Sequence, residues 1–362
     1  MKYSLESTGR AAYLQLYEQL RGDILGGAFA FASRLPSKRL LAEEMHTSLS
    51  TVEHAYALLC EEGYVEARER SGFYVAFRAT DGFASAPPSP PQRPQYDASA
   101  APHCFPFSVL ARTMRSVLSN YQERILVKSP NRGCDELRAA IGQYLSRSRG
   151  ISATAEQIIV GSGAEYLYGL IVEMLGRERL YALEDPSYKK IEQVYRAAGA
   201  NCTMLPLGTN GIDSAALAGT CASVLHITPY RSYPSGISAS ASKRHEYVRW
   251  AAQAGRILVE DDFESEFSVA GKPEETLFAI SGGRNVIYMN TFSRTISPSM
   301  RVGYMVLPCS LLDVFEERAG FYSCTVPAFE QYVLAELITS GDFERHINRI
   351  RRQKRRELAK LM

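Results

Sequence analysis

Apolar residues near the start of the chain repeat with the period of an α-helix. One helix face is formed by Tyr13, Leu16, Tyr17, Leu20 and Ile24. This spacing predicts an amphipathic helix that ends at a pair of glycines. A second, short helix is predicted at 37–45, because a serine that follows a proline is a favourable N-cap. A third helix is predicted from about residue 50, and Gly63 ends it.

The residues after the third helix alternate in the manner of a β-hairpin, with strand-like runs at 64–68 and 73–76. Three helices followed by a hairpin is the order of a winged helix-turn-helix, whose third helix enters the DNA major groove. We assign base contacts to the start and the polar face of that helix, and phosphate contacts to basic residues beside the second helix. The candidates are Ser48, Ser50, Thr51, His54, Arg34, Lys38 and Arg39.

Overall charge neither favours nor excludes a DNA partner. Residues 1–80 hold nine Lys and Arg against ten Asp and Glu, and the whole chain has a net charge of +2. The prediction therefore rests on where the basic residues lie, and a set of ordinary solvated surface charges stays open at this point.

The seven cysteines are scattered and lack paired spacing, which is typical of reduced thiols in a cytoplasmic protein. No apolar signal region follows Met1, and no apolar run is long enough to span a membrane. We therefore expect a cytoplasmic location and no membrane partner.

A proline-rich segment at 86–94 separates the first region from the rest of the chain. Such a segment favours the extended polyproline II conformation and acts as a semi-rigid spacer. We therefore predict a DNA-binding domain at 1–78, a linker at 79–102 and a large domain at 103–362.

Short apolar runs alternate with segments of helical spacing in the large domain. Strands are predicted at 157–160, 179–183, 223–227, 256–260 and 285–289. Buried strands that alternate with helices predict an α/β fold with a mainly parallel sheet. Ligands of such sheets bind at the carboxyl ends of the strands, and several of these ends carry polar residues.

Gly163 and Ala164 open a helix whose N-terminus suits a phosphate, although a glycine turn at this place is often only structural. Hydroxyls and an arginine in the turn at 291–301 can also bind a phosphate. Asp261 follows a strand and could pair with a protonated ring nitrogen, or equally cap a helix. Tyr188 could stack on an aromatic ring or fill the core.

The first region resembles the winged helix of GntR-type regulators over residues 8–77. The shared motifs are Arg34-Leu35-Pro36-Ser37-x-Arg39-x-Leu41-Ala42, Ser50-Thr51-Val52, Glu62-Gly63-Tyr64 and Gly72-Phe73-Tyr74-Val75. The resemblance implies that DNA backbone or base contacts are made by Arg34, Ser37, Arg39, Thr51 and Gly72.

The large domain resembles the aminotransferase-like domain of MocR-type regulators, which join a GntR region to a fold-type I pyridoxal-phosphate domain. The motifs that carry this resemblance are Pro130-x-x-Gly133-x-x-x-Leu137-Arg138, Gly161-Ser162-Gly163, Glu184-Asp185-Pro186-x-Tyr188, Thr228-Pro229, Glu260-Asp261-Asp262 and Asn290-Thr291-Phe292-Ser293. The resemblance implies ring stacking by Tyr188 and a ring-nitrogen partner in Asp261. It implies phosphate contacts by Gly163, Ala164, Ser293 and Arg301.

Three positions depart from that family pattern. Arg294 stands where the family has the lysine that forms a Schiff base with the cofactor, Phe263 replaces a tyrosine, and Arg231 replaces a histidine. A guanidinium stays protonated in proteins, so Arg294 cannot supply the free amine that a Schiff base needs. We therefore expect pyridoxal phosphate to bind non-covalently at most, and an inert relic of the pocket stays open.

The basic helix that begins near Phe343 leads, in that family, into a small C-terminal domain. The sequence stops at Met362, so we expect the small domain to be truncated. We infer a transcriptional regulator that binds double-stranded DNA as a homodimer on paired half-sites. Its aminotransferase-like domain would sense a small-molecule effector. The alternatives are a pyridoxal-phosphate aminotransferase, which Arg294 argues against, and a degenerate regulator that senses no ligand.

Overall fold

The computed structural model describes residues 3, 5, 10–69, 71–78, 105–262, 265–268 and 274–361. The chain divides into two compact units, Met1–Asp97 and Ala98–Met362. The predicted linker at 79–102 and the departure at Phe263 lie outside the described residues. The domain boundaries near residues 78 and 103 therefore stay predictions.

The first unit has the predicted order of three helices and a hairpin. Its elements are α1 (Ala12–Leu25), α2 (Lys38–Glu44), α3 (Leu49–Glu61), β1 (Val65–Arg68) and β2 (Gly72–Val75). Ser37 caps α2 as predicted, because its side chain accepts a hydrogen bond from the Leu40 amide at 3.2 Å. The two strands pair antiparallel. The predicted winged helix-turn-helix is confirmed.

The apolar stripe predicted on α1 packs against α3 to form the core of the first unit. Leu16 and Leu20 of α1 are fully buried, as are Val52 and Leu59 of α3. Burial of each such side chain contributes about 1.5–3 kcal/mol, which fixes the rotation of α3 about its own axis. The opposite face of α3 is consequently left exposed to solvent.

An eight-stranded, mainly parallel sheet forms the centre of the second unit, as predicted. Its strand order is β3-β10-β9-β8-β7-β4-β5-β6. Among the described strands, β10 and β6 run in the direction opposite to the other six. The strands are β3 (Ile158–Gly161), β4 (Leu180–Asp185), β5 (Asn201–Gly208), β6 (Gly211–Ile212), β7 (Val224–Ile227), β8 (Ile257–Asp261), β9 (Val286–Thr291) and β10 (Gly303–Val306).

Helices cover both faces of this sheet, as parallel strands require. One buried apolar cluster joins the sheet to α5, α9, α12 and α13, and a second joins it to α6, α7 and α11. The helices are α4 (Phe107–Tyr121), α5 (Asp135–Arg149), α6 (Ala164–Leu175), α7 (Lys189–Ala197), α8 (Ser214–Gly219), α9 (Ala241–Ala251), α10 (Leu277–Ile280), α11 (Leu312–Arg318), α12 (Ala328–Thr339) and α13 (Asp342–Leu361).

The parallel strands β9, β8, β7 and β4 end at the same edge of the sheet, and the chain leaves each of them in a loop or turn. In sheets of this kind that edge is where ligands bind. Among the described residues, none of the helices has both the length and the apolar character needed to cross a lipid bilayer.

Candidate functional site

The amino end of α3 presents small hydroxyl groups at the surface. Ser48 caps the helix by accepting a hydrogen bond from the Thr51 amide at 3.1 Å. Its Oγ also lies 2.9 Å from Ser50 Oγ and 2.8 Å from Thr51 Oγ1. Ser50 and His54 are exposed, and the His54 ring meets Tyr13 edge to face at 5.6 Å. The residues predicted to read bases therefore lie on the solvent-facing side of α3.

The three basic side chains that are predicted to contact DNA phosphates differ in their contacts with the rest of the first unit. Arg34 packs against the wing, since a Cβ placed on Gly72 would be only 3.0 Å from Arg34 Nε, and Gly72 has a φ of +118° that favours glycine. Lys38 forms an ion pair with Glu53 of α3 at 2.8 Å. Arg39 is exposed. Of these three cations, Arg39 is thus the one whose side chain no other described residue of the first unit restrains.

A cavity of about 820 Å³ opens at the carboxyl edge of the sheet in the second unit. Its lining includes the candidate residues Ala164, Tyr188, Asp261, Ser293 and Arg301, together with Arg294. The parallel strands therefore bring together residues that are 137 positions apart in the sequence, from Ala164 to Arg301. This agrees with the rule that open α/β sheets bind ligands at their strand ends.

At one end of the cavity an arginine meets the start of a helix, a pairing of groups that suits an anion. Gly163 precedes α6 with a φ of +96°, and a Cβ at this position would lie 3.1 Å from Arg301 Nη2. The glycine thus lets a guanidinium approach the positive end of the helix dipole. Glu165 lies 3.7 Å from the same Arg301 atom and 3.1 Å from Lys190 Nζ. The hydroxyl of Ser293 donates to the Met300 carbonyl at 3.1 Å.

Asp261 is fixed at the end of β8 by hydrogen-bonding groups behind it. Tyr168 donates its hydroxyl to Asp261 Oδ2 at 2.5 Å, and His226 Nε2 lies 3.5 Å from the same oxygen. The other ring nitrogen of His226 lies 2.8 Å from the Tyr195 hydroxyl. Asp261 is nearly buried yet lines the cavity. A carboxylate in this position suits a protonated ring nitrogen.

Two neighbouring carboxyl groups, Glu260 of β8 and Asp262 directly after the strand, face the other side of the sheet, because side chains alternate along an extended chain. Asp262 Oδ2 lies 2.8 Å from Arg149 Nη2 and accepts a hydrogen bond from the Tyr288 hydroxyl at 2.6 Å. Glu260 accepts from the amides of Leu277 and Phe278 at 2.9 and 2.8 Å. These three consecutive acids thus contact separate groups on the two faces of the sheet.

Glu260 gives a testable pH dependence. Burial raises the pKa of Glu260 from 4.5 to about 7, so the folded state holds this proton over a pH range in which the unfolded state has lost it. Its contribution to stability is complete below about pH 4.5 and is lost as the pH rises to about 7. Over this range the free energy of unfolding of the wild type should fall more than that of Glu260→Gln. We expect the two falls to differ by about 2–4 kcal/mol. Urea unfolding of both proteins at several pH values measures this difference. If their stabilities change in parallel with pH, Glu260 does not titrate as described.

Arg294 and two further cations also line the cavity. They are Arg231, from the loop after β7, and Lys354, from α13. Sequence reasoning missed Lys354, although Phe343, Ile347 and Ile350 are buried and residue 354 continues their helical spacing. Burial lowers the pKa of Lys354, and the charges of Arg231 and Arg294 lower it further.

Comparisons with known proteins assign both parts of the chain. Residues 12–75 match the family described as bacterial regulatory proteins, gntR family. Residues 103–362 match the family aminotransferase class I and II.

Curated relatives match almost the entire chain. The chain is 30% identical over 358 residues to the uncharacterized HTH-type transcriptional regulator YdeL of Bacillus subtilis, covering 96% of this chain and 77% of that protein. It is 31% identical over 366 residues to the probable rhizopine catabolism regulatory protein MocR of Rhizobium meliloti, and this match covers 93% of this chain and 74% of that protein.

Among solved structures, the α-aminoadipate aminotransferase LysN of Thermus thermophilus is 26% identical, with a TM-score of 0.61. The match covers 70% of this chain and 65% of LysN, which is complexed with N-(5'-phosphopyridoxyl)-L-leucine. Because the two family matches occur in one chain, and its relatives are HTH-type regulators, this chain belongs to the MocR-type group of GntR transcriptional regulators.

Proposed function

We propose that this regulator binds operator DNA through its first unit, and that the cavity of its second unit senses pyridoxal phosphate without a covalent bond to residue 294. One observation carries the second half of this proposal. The cavity has an anion-binding end at Arg301 and a buried carboxylate at Asp261, while an arginine occupies the position of the family's lysine.

The residues present fit the cofactor's phosphate and ring. Arg301, Ser293 and the start of α6 would hold the phosphate, because the helix dipole and a guanidinium both favour a doubly charged anion. Asp261 would pair with the ring nitrogen, and Tyr188, which is 42% exposed at the cavity, would lie against the ring. In aminotransferases the bound cofactor acts as an electron sink for carbanions.

Residue 294 does not supply the free amine that such catalysis requires. A lysine must lose a proton before it attacks an aldehyde, and proteins achieve this by lowering its pKa. An arginine side chain is not deprotonated in proteins, so its guanidinium stays charged next to any neighbour. The proposed phosphate and ring contacts, without an amine at residue 294, therefore favour sensing of the cofactor over transamination.

We also propose that the regulator acts as a homodimer. Helix-turn-helix proteins commonly read two half-sites with two recognition helices. In the second unit several large apolar side chains are strongly exposed, and such side chains mark association surfaces when they lie close together. They are Phe107, Leu126, Val127 and Phe321.

DNA binding should depend on salt and on Arg39. We expect the full chain to bind duplex DNA from the region upstream of its own gene, more weakly as salt rises, because phosphate contacts release counterions. Replacement of Arg39 by alanine should weaken binding to all sequences and lower the slope of log affinity against log salt by about 0.9. Fluorescence anisotropy over a salt series measures both quantities.

Two further variants separate the loss of a phosphate contact from the loss of any surface charge and from the loss of a base contact. Arg10→Ala removes an arginine that pairs with Glu18 at 3.0 Å, and it should leave the salt slope unchanged. Thr51→Ala should instead reduce the preference for the operator over unrelated duplexes, by about 1–3 kcal/mol. Binding that does not depend on salt, or equal slopes for wild type and Arg39→Ala, would contradict the assignment.

A further inference from the structure

The third helix of the first unit lacks the side chains that most often identify guanine or adenine. Arginine and lysine recognise guanine through two acceptors in the major groove, and asparagine and glutamine recognise adenine through an acceptor and a donor. Residues 40–67, which include all of α3, contain none of these four residue types. Base recognition by α3 therefore depends on hydroxyl groups, on a carboxylate or an imidazole, or on apolar contacts.

The carboxylate and the imidazole of α3 already have neighbours within the first unit. Glu53 pairs with Lys38 of α2 at 2.8 Å. The His54 ring meets the ring of Tyr13 on α1 edge to face at 5.6 Å. Both residues also lie more than one helical turn beyond the first residue of α3. The start of the helix therefore reads bases, if it does so, through other groups.

The hydroxyl groups of the first turn of α3 are engaged with one another. Ser48 Oγ accepts from the Thr51 amide and lies 2.9 Å from Ser50 Oγ and 2.8 Å from Thr51 Oγ1. A hydroxyl group can both donate and accept, so it contacts several bases and distinguishes them weakly. The hydroxyl groups alone therefore give this turn little sequence preference.

Leu49 is the first residue of α3 and carries the large apolar side chain of this turn. It is 41% exposed, whereas Val52 and Tyr56 further along the helix are buried in the core. Leu49 shares a helix face with Glu53 and lies one turn nearer to the amino end. Single exposed leucines are common on protein surfaces, but this leucine lies where a recognition helix meets base edges.

We propose that Leu49 recognises thymine through its 5-methyl group, and that A·T pairs occupy the operator positions that face the start of α3. This inference rests on the proposed function, because it requires α3 to lie in the major groove of DNA. The thymine methyl is the apolar group that base pairs present in that groove. Contact with Leu49 removes the methyl from water, and burial of one such group strengthens binding about fourfold.

Duplexes that differ only in the thymine methyl groups test the proposal. The region upstream of the gene is prepared once with thymine and once with uracil at every thymine position. Uracil pairs with adenine in the same way and lacks only the methyl group. Fluorescence anisotropy of the full wild-type chain, at one salt concentration, should show about fourfold or tighter binding to the thymine duplex. Leu49→Ala should lose most of this difference.

The matched control is Leu25→Ala, which removes a leucine of 40% exposure from the last turn of α1. This variant should keep the wild-type ratio of the two affinities. Loss of methyl groups also alters the shape of the duplex, but that change affects both variants alike, so their contrast isolates the Leu49 contact. Arg39→Ala should weaken binding to both duplexes by the same factor, because a phosphate contact carries no sequence information.

The outcomes separate this inference from the proposed function. If the wild-type protein binds both duplexes with equal affinity and binding still weakens with salt, the methyl contact is refuted while DNA binding stands. If Leu49→Ala keeps the wild-type ratio, another residue reads the methyl groups, and the assignment to Leu49 is wrong. If neither duplex is bound, the proposed DNA binding fails, and the Leu49 contact fails with it.

Discussion

Replacing Arg294 with lysine is expected to convert a reversible pyridoxal phosphate complex into one that borohydride fixes to the protein. The wild-type guanidinium cannot form the carbon–nitrogen bond, whereas a lysine amine in a cationic cavity can lose its proton and do so. Asp261, Ser293 and Arg301 would still orient the cofactor in the variant. Reduction, denaturation and peptide mass analysis should find the pyridoxyl group on residue 294 of the variant and on no peptide of the wild type.

The control for this covalent labelling is Arg294→Met. This variant removes the charge without adding an amine, and it should stay unlabelled. A label in the wild-type protein would overturn the prediction of non-covalent binding. Lys354 is the lysine to inspect first because it lines the cavity. Lys189 and Lys190 follow, since both lie at the start of α7, next to Tyr188.

Replacing Arg149 with alanine is expected to lower the free energy of unfolding of the second unit by about 3–5 kcal/mol. Arg149 is the last residue of α5, and its guanidinium lies 2.8 Å from Asp262 and 4.6 Å from the ring centre of Tyr230. Both charged side chains are almost completely buried. Removing the arginine leaves a buried carboxylate without its counter-charge, which costs far more than the loss of a surface ion pair.

A matched control comes from the same helix. Arg147 pairs with Glu344 at 2.7 Å but its side chain is 52% exposed, so Arg147→Ala should cost about 1 kcal/mol or less. Urea unfolding of both variants measures the contrast. If both variants lose a similar amount of unfolding free energy, burial does not determine how much these two ion pairs stabilise the protein.

The elements that local patterns determine were predictable from the sequence. The three helices of the first unit follow from apolar spacing and from caps such as Ser37, and the hairpin follows from alternation around a glycine turn. The strands of the second unit follow from short apolar runs. Family motifs predicted one site for Gly163, Ala164, Tyr188, Asp261, Ser293 and Arg301. The last five of these line one cavity, whereas Gly163 lies behind the lining, beside Arg301.

The features that the sequence did not reveal depend on contacts between distant residues. The ion pair of Arg149 with Asp262 joins α5 to the end of β8, and no local pattern encodes it. Asp261 and its neighbour Asp262 look equivalent in the sequence, and only the extended backbone at the end of β8 assigns them to opposite faces of the sheet. Lys354 belongs to a strongly basic helix, where a solvated face is the ordinary interpretation, until the packing of α13 is known.

If the second unit senses pyridoxal phosphate, as we propose, ligand binding there changes DNA binding by the first unit. The most direct test of this coupling is the affinity of the full chain for its operator, measured by fluorescence anisotropy with and without saturating pyridoxal phosphate. We predict a change of about fivefold or more, the usual size of coupling between two binding sites, and predict that Arg301→Ala abolishes it. Equal operator affinities of the wild-type protein, with and without the cofactor, would contradict the account.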